Sequence, residues 1–218
     1  MPLRLLSATA LALALSASPA AAATLAELKP CYVSAGEADG ERETVVVAGD
    51  GFAAMSTVEV LFDGVAQGSA PTGSVGEFEI RLPAPYQRSG ERAFTLAARD
   101  GVNSVVTQSR VTDLDVAMRP KRAAPSRKVR FRGRGFTLQA AVFAHYLFGG
   151  TEQKTVRLAK TSTAPCGTFK VKRRQIPVAH ARTGRWIVQV DQKRAYSPQP
   201  DPVWVRLPIQ VEEVFLEP

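Results

Sequence analysis

Residues 45–52 read VVVAGDGF, and residues 129–136 read VRFRGRGF. The two stretches are one pattern stated twice. After the first come Gly76-Glu77-Phe78, Leu82-Pro83, Gly90 and Phe94-Thr95-Leu96-Ala97-Ala98. After the second come Gly167-Thr168-Phe169, Ile176-Pro177, Gly184 and Trp186-Ile187-Val188-Gln189-Val190. Order and rough spacing are kept, with extra residues in the second copy. Repetition on this scale specifies an architecture of two like units. It names no reaction.

Within each copy the apolar residues recur at period two between turn residues. Val45 and Val47 alternate with Thr44 and Val46; Val58, Val60 and Phe62 with Glu59 and Leu61; Phe78, Ile80 and Leu82 with Glu79 and Arg81. Val129/Phe131, Phe169/Val171 and Trp186/Val188/Val190 repeat the scheme. Many short alternating runs predict an all-β protein of antiparallel sandwiches. The division expected is 24–112 and 113–218, each long enough to bury a modest core. Between them, residues 112–125 read as an extended, proline-containing linker, with residues 113–118 the first strand of the second unit.

The chain opens with Arg4, an apolar run over 5–15, and Ser16-Ala17-Ser18-Pro19-Ala20-Ala21-Ala22-Ala23. That layout predicts a secretory signal peptide over 1–23, cleaved after Ala22 or Ala23. No later stretch has transmembrane length, so a secreted or cell-surface location is expected.

The pattern resembles bacterial immunoglobulin-like modules of the IPT/TIG-like or related surface-protein type. The resemblance rests on a strand ending in G-x-G-F, a V-x-V strand, G-x-F with a following proline, and G-x-x-x-F/W. It covers nearly all of 25–218 as two tandem immunoglobulin-like β-sandwiches. By that resemblance 44–49 and 128–133 are B strands, and 78–82 and 169–173 are E strands, which lie side by side in one sheet. The glycines at 49, 51, 133 and 135 then permit a bulge or tight turn, and Phe52 and Phe136 plug the cores. The resemblance implies adhesion, spacing or ligand binding, and no catalytic residues.

Charge separates the two copies. Residues 24–112 hold seven Lys/Arg against twelve Asp/Glu; residues 113–218 hold twenty against eight. If Val129, Phe131, Phe169 and Val171 face inward, then Lys128, Arg130, Arg132, Lys170 and Lys172 face outward, with Arg134 and Arg174 beside them. Adjacent strands lie about 4.8 Å apart, so the rows merge into one basic face. Its expected partners are anionic cell-envelope polymers or another surface protein. A plain solvated strand face is one alternative; attraction between the acidic first unit and the basic second, within or between molecules, is another. No aromatic residues interleave with the basic ones as a nucleic-acid platform requires, so nucleic acid ranks low.

His145, Cys166 and Asp191 can be drawn as a nucleophile triad, but two cysteines in an exported chain are better read as a disulfide. By the immunoglobulin-like order, Cys31 lies near the end of the first unit facing the second. Cys166 lies in the loop before the second E strand, at the end nearest the first unit. The two are therefore expected to pair. His145 is read as a structural histidine, partly buried on the same side as Phe143. The acidic segment 37–41 lacks calcium-loop spacing and reads as a solvated turn. Trp186 is the expected core aromatic, with Trp204 exposed or at the junction. Neither metal nor cofactor is expected. Together these features point to a non-enzymatic binding or spacer module. The alternatives are a small-ligand carrier or accessory subunit using the junction, and a purely structural spacer.

Overall fold

In a computed structural model, residues 22–160, 162–199 and 203–212 are described. The expected signal peptide falls almost wholly outside them. Fifteen strands account for the described secondary structure, apart from one turn of 3-10 helix at Asp39–Glu41. They are β1 (Thr24–Leu25), β2 (Tyr32–Ser34), β3 (Thr44–Asp50), β4 (Thr57–Phe62), β5 (Val65–Pro71), β6 (Phe78–Pro83), β7 (Glu91–Arg99) and β8 (Ser104–Asp113). Then follow β9 (Asp115–Arg119), β10 (Lys128–Arg134), β11 (Val142–Phe148), β12 (Thr151–Ala159), β13 (Phe169–Arg174), β14 (Gly184–Asp191) and β15 (Trp204–Val211).

These form two β-sandwiches in tandem. In the first, the sheet β1-β3-β6 faces the sheet β2-β8-β7-β4-β5; in the second, β13-β10-β9 faces β12-β11-β14-β15. The expected B and E strands are β3 with β6 and β10 with β13, each pair antiparallel neighbours. The inward residues of both sheets meet in a core. Val45, Val47, Val58, Val60, Phe94 and Leu96 are buried in the first, and Val129, Phe131, Tyr146, Trp186, Val188 and Ile209 in the second. Alternation drives this: one face of each strand is apolar, and only face-to-face stacking removes it from water.

The G-x-G-F motif has a double meaning. Gly51 and Gly135 adopt positive φ and turn the chain. Gly49 and Gly133 lie within their strands and are there for space. A Cβ on Gly133 would stand 2.2 Å from the Phe169 ring, and one on Gly49 2.8 Å from the Phe78 ring. The vacated room holds edge-to-face pairs, Phe52 on Phe78 at 5.1 Å and Phe136 on Phe169 at 5.3 Å. A bulge is therefore the wrong explanation at 49 and 133; ring packing is the right one.

The expected linker is absent. β8 runs to Asp113, only Leu114 intervenes, and β9 starts at Asp115. The proline-containing stretch 120–125 instead connects β9 to β10 inside the second sandwich. Alternating residues on both sides of Leu114 find sheet partners, which leaves nothing to serve as a tether. Val33 of β2 packs into the apolar cluster of the second sandwich, so the two cores touch.

Candidate anion-binding face

Register brings the expected basic residues together. Lys128 pairs with Arg174, Arg130 with Lys172, and Arg132 with Lys170. All six side chains are exposed, while Val129, Phe131 and Phe169 between them are buried. Like charges placed directly opposite repel, so three consecutive such pairs destabilise the bare sheet. Among the described residues, none of the six has an acidic partner within salt-bridge distance.

β9 adds a residue that sequence reasoning missed. Arg119 stands opposite Arg130, extending that row to Arg119-Arg130-Lys172. The sequence placed Arg119 in a linker; its outward parity became readable only with β9 paired to β10. An open groove of 750 Å³ crosses the upper part of the face, lined in part by Arg119, Arg132, Lys170, Thr163 and Thr168.

Arg134 does something else. Its Nε donates to Asp113 Oδ1 at 2.6 Å and an Nη to Asp113 Oδ2 at 2.8 Å, and Asp115 lies 3.8 Å away. These acids hold its pKa above the usual guanidinium value, chiefly through the hydrogen bonds to Asp113. Asp113 also accepts the Gly90 N–H at 3.1 Å. Arg134 is therefore a bidentate clamp between β10 and the end of β8 rather than a free cation of the basic face.

Beside that clamp, Cys31 and Cys166 are joined, with Cα atoms 5.2 Å apart and a sequence separation of 135. Cys31 directly precedes β2, which runs parallel to β8, so both strands point toward the second sandwich. Cys166 lies in the loop before β13, where its carbonyl accepts the Gly135 N–H at 3.0 Å. Bonded in this way, Cys166 supplies no nucleophile, and the triad drawn from sequence dissolves.

A 560 Å³ cleft opens at the same junction, lined in part by Val33, Arg42, Glu43, Leu114, Val203 and Trp204. Trp204 lies there half-buried, stacked against the Arg206 guanidinium at 4.8 Å. Several polar groups of the cleft are engaged internally, although the buried Arg42 Nε has no hydrogen-bond partner among the described residues. Glu43 accepts the Val33 N–H at 2.9 Å and pairs with Lys29, and Arg42 donates to Ala84 O at 3.0 Å and pairs with Asp39.

His145 departs from expectation. Ala144 and Tyr146, not His145, face the core, yet His145 is fully buried. The segment after β14 covers it from outside. Nε2 faces Asp191 Oδ1 and Lys193 O, each at 3.2 Å. Nδ1 faces Thr155 Oγ1 at 2.7 Å and Glu152 Oε1 at 3.2 Å. The Thr155 hydroxyl donates to Glu152, so it can only accept from the ring. Both nitrogens meet acceptors, the arrangement of an imidazolium. Burial opposes that charge, but Asp191 and then Glu152 outweigh it and raise the pKa above the ordinary histidine value. Gln189 continues the network, donating to Asp191 Oδ2 at 3.0 Å and to Ser197 O at 2.7 Å. His145 is thus a structural residue, as expected, but one that latches a loop.

Comparison with known proteins adds little. No family model matches the chain, and no curated protein matches it. Solved structures similar to it include a Parabacteroides merdae β-glucuronidase, with 11% identity over 87% of this chain, 24% of that one and a TM-score of 0.30. The chain thus spans about a quarter of that enzyme. Fibronectin(III)-like modules of Clostridium thermocellum CbhA match at 11% identity over 89% of this chain and 96% of theirs, TM-score 0.28. The ligand-binding domain of human OSCAR matches at 11% over 89% of this chain and 100% of its own, TM-score 0.34. At these scores none bears on function.

Among the described residues, no helix is long and apolar enough to cross a membrane, and no cluster of His, Cys, Asp and Glu has metal-binding geometry.

Proposed function

We propose that this is an exported, non-enzymatic binding module that contacts anionic envelope polymers through Lys128, Arg130, Arg132, Lys170, Lys172 and Arg174, joined by Arg119. One observation carries the reading: three successive cross-strand pairs of like charge, without acidic partners among the described residues. A polyanion lying along β10 and β13 relieves that repulsion and gains a phosphate, sulfate or carboxylate contact at each row. The disulfide fits an oxidising compartment. The clamp and disulfide fix the angle at which the basic face is presented, so the first sandwich is a rigid stalk.

The test is retention on immobilised heparin and on purified cell envelope across a salt gradient. Wild-type protein is expected to bind at low salt and release as salt rises, because exposed contacts are screened over about 8 Å at physiological ionic strength. Reversing Arg130, Arg132 and Lys172 to glutamate should abolish retention. Equal elution of wild type and variant would refute the proposal.

A further inference from the structure

The loops at 51–56, 72–77 and 100–103 join β3 to β4, β5 to β6 and β7 to β8, so all three lie at the end of the first sandwich remote from the second. They are tied to one another. Met55 N–H donates to Gly73 O at 3.1 Å, Thr72 Oγ1 to Ala53 O at 2.6 Å, and Ala53 N–H to Asp100 Oδ2 at 2.5 Å. The Ala53 and Asn103 donors hold the Asp100 carboxyl well below the usual carboxylate range. On this fixed platform stand the three most exposed large hydrophobic side chains described, Met55 at 81%, Val75 at 77% and Val102 at 85%. Asp50 and Glu77, both exposed, rim them.

The second sandwich shows what such an end is for. Its corresponding loops, after β10, β12 and β14, receive the first sandwich. The correspondence is residue by residue. Phe52 N–H donates to Gly76 O at 3.2 Å, and Phe136 N–H to Gly167 O at 3.1 Å. Val75 therefore holds the place of Cys166, and Asp50 that of Arg134. The two positions that fasten the sandwiches together have free counterparts at the tip.

The opposite end of the molecule has the complementary character. Arg119, Lys121, Arg122, Arg127 and Lys128 gather where β9 ends and β10 begins. Among them opens a 330 Å³ notch lined by Arg122, Ala123, Ala124, Pro125, Gln210, Val211 and Glu212, in which Glu212 is the one acid among the described residues.

We propose that the tip carrying Met55, Val75 and Val102 docks on the basic tail of a second copy of this chain, its apolar side chains filling the Ala123–Ala124–Pro125 notch and its acids facing Lys121 and Arg122. The two surfaces differ, so the contact is heterologous and copies add head to tail. Opposite rim charges steer the encounter, and the desolvated apolar centre holds it. The tip lies far from the basic sheet face, whereas the tail shares Arg119 and Lys128 with it, so tip variants separate this association from the polymer-binding reading.

Sedimentation velocity of the purified chain tests it. The weight-average mass should climb with concentration past that of a dimer and fall as salt is raised. A tip variant, Met55→Asp with Val75→Asp, and a tail variant, Lys121→Glu with Arg122→Glu, should each weaken association by ~tenfold or more. Mixing the two variants should restore one-to-one dimers and nothing larger, since one intact tip then meets one intact tail. All four positions are surface sites, and unchanged thermal unfolding shows that the variants fold. The tip variant should elute from heparin with wild type, which separates this proposal from the polymer-binding one. A wild-type chain monomeric at every concentration, a closed dimer, or a variant mixture that stays monomeric would each overturn it.

Discussion

The outward residues of β3 and β6 are Thr44 opposite Pro83, Val46 opposite Arg81, and Ala48 opposite Glu79. The same positions of β10 and β13 hold Lys128 opposite Arg174, Arg130 opposite Lys172, and Arg132 opposite Lys170. Inward, the two sheets barely differ: Val47 meets Ile80 where Phe131 meets Val171, and Gly49 meets Phe78 where Gly133 meets Phe169. Packing fixes the inner face, because each core must be filled at crystal-like density. Nothing in the fold requires the outer face to be basic, since the first sandwich stands without it. Core packing therefore does not account for the basic rows, and the proposed polyanion would.

The comparison is sharpest at the junction, where equivalent positions hold Val75 and Cys166, and Asp50 and Arg134. Breaking the second member of each pair should turn a rigid rod into two hinged bodies. Replacing Cys31 and Cys166 by serine removes the cross-link across 135 positions. The chain-entropy model assigns such a loop about 5 kcal/mol. The expected outcome is one cooperative unfolding transition dividing into two, with a broader distribution of interdomain angles in small-angle scattering. A single unshifted transition would mean that the clamp of Arg134 on Asp113 and the Val33 contact suffice alone.

If the repeat is as strict inside as register indicates, equivalent core changes should have equivalent cost. Phe52→Ala and Phe136→Ala each remove one ring of an edge-to-face pair and leave a cavity beside a glycine. Each should cost about 3–5 kcal/mol by chemical denaturation. A large inequality between them would show that the second core, to which Val33 and the disulfide are fastened, shares its load with the first.

What was legible in the sequence divides along the same line. Period-two alternation exposed β3, β4, β6, β7, β10, β13 and β14, because one buried face per strand leaves an unambiguous trace. The basic rows followed by parity. The placement of the two cysteines followed from strand order. Alternation failed where both faces of a strand are covered. β11 carries Ala144 and Tyr146 on the core side and His145 on the other, all buried. With a loop packed over the outer side, the pattern Phe143-Ala144-His145-Tyr146 has no polar face to read. The prolines at 120 and 125 misled in another way: proline excludes a central strand position but does not distinguish a linker between domains from a connection within one. Arg134 shared the outward parity of its neighbours, and only the position of Asp113 at the end of β8 shows where its charge goes.

The buried histidine supplies a pH test with no counterpart in the first sandwich. Asp191 and Glu152 stabilise the imidazolium, so its folded pKa is raised. A raised value means that the stabilisation is complete below the unfolded value of about 6.5 and is lost as pH climbs through the folded one. Melting temperature should therefore decline as pH rises above about 6.5, with Lys193–Gln199 the first segment to gain hydrogen exchange. In His145→Leu the decline should vanish, but overall stability should drop by about 3 kcal/mol, because Asp191 is left buried without its cation. A pH slope unchanged by the substitution would assign it to other groups.

The smallest effect bears most directly on function. If the rows on β10 and β13 repel, breaking one should stabilise the protein while weakening it as a ligand-binding face. Lys172→Glu places a carboxylate opposite Arg130, and Arg130 lies between Arg119 and Lys172. An unlike cross-strand pair replaces a like one, so stability should rise by about 0.5–1 kcal/mol at low salt and by less at high salt. Heparin retention should fall in the same variant. Arg81→Glu at the equivalent place in the first sandwich, opposite Val46, loses an exposed ion pair with Glu79 and should lower stability slightly while leaving heparin retention unchanged. Opposite signs for stability and binding are the signature of a surface retained for its ligand rather than for its fold. If Lys172→Glu destabilises the protein, the rows are not mutually repulsive in solution and the argument from uncompensated charge fails. If it stabilises without weakening retention, repulsion is real and the polymer binds elsewhere.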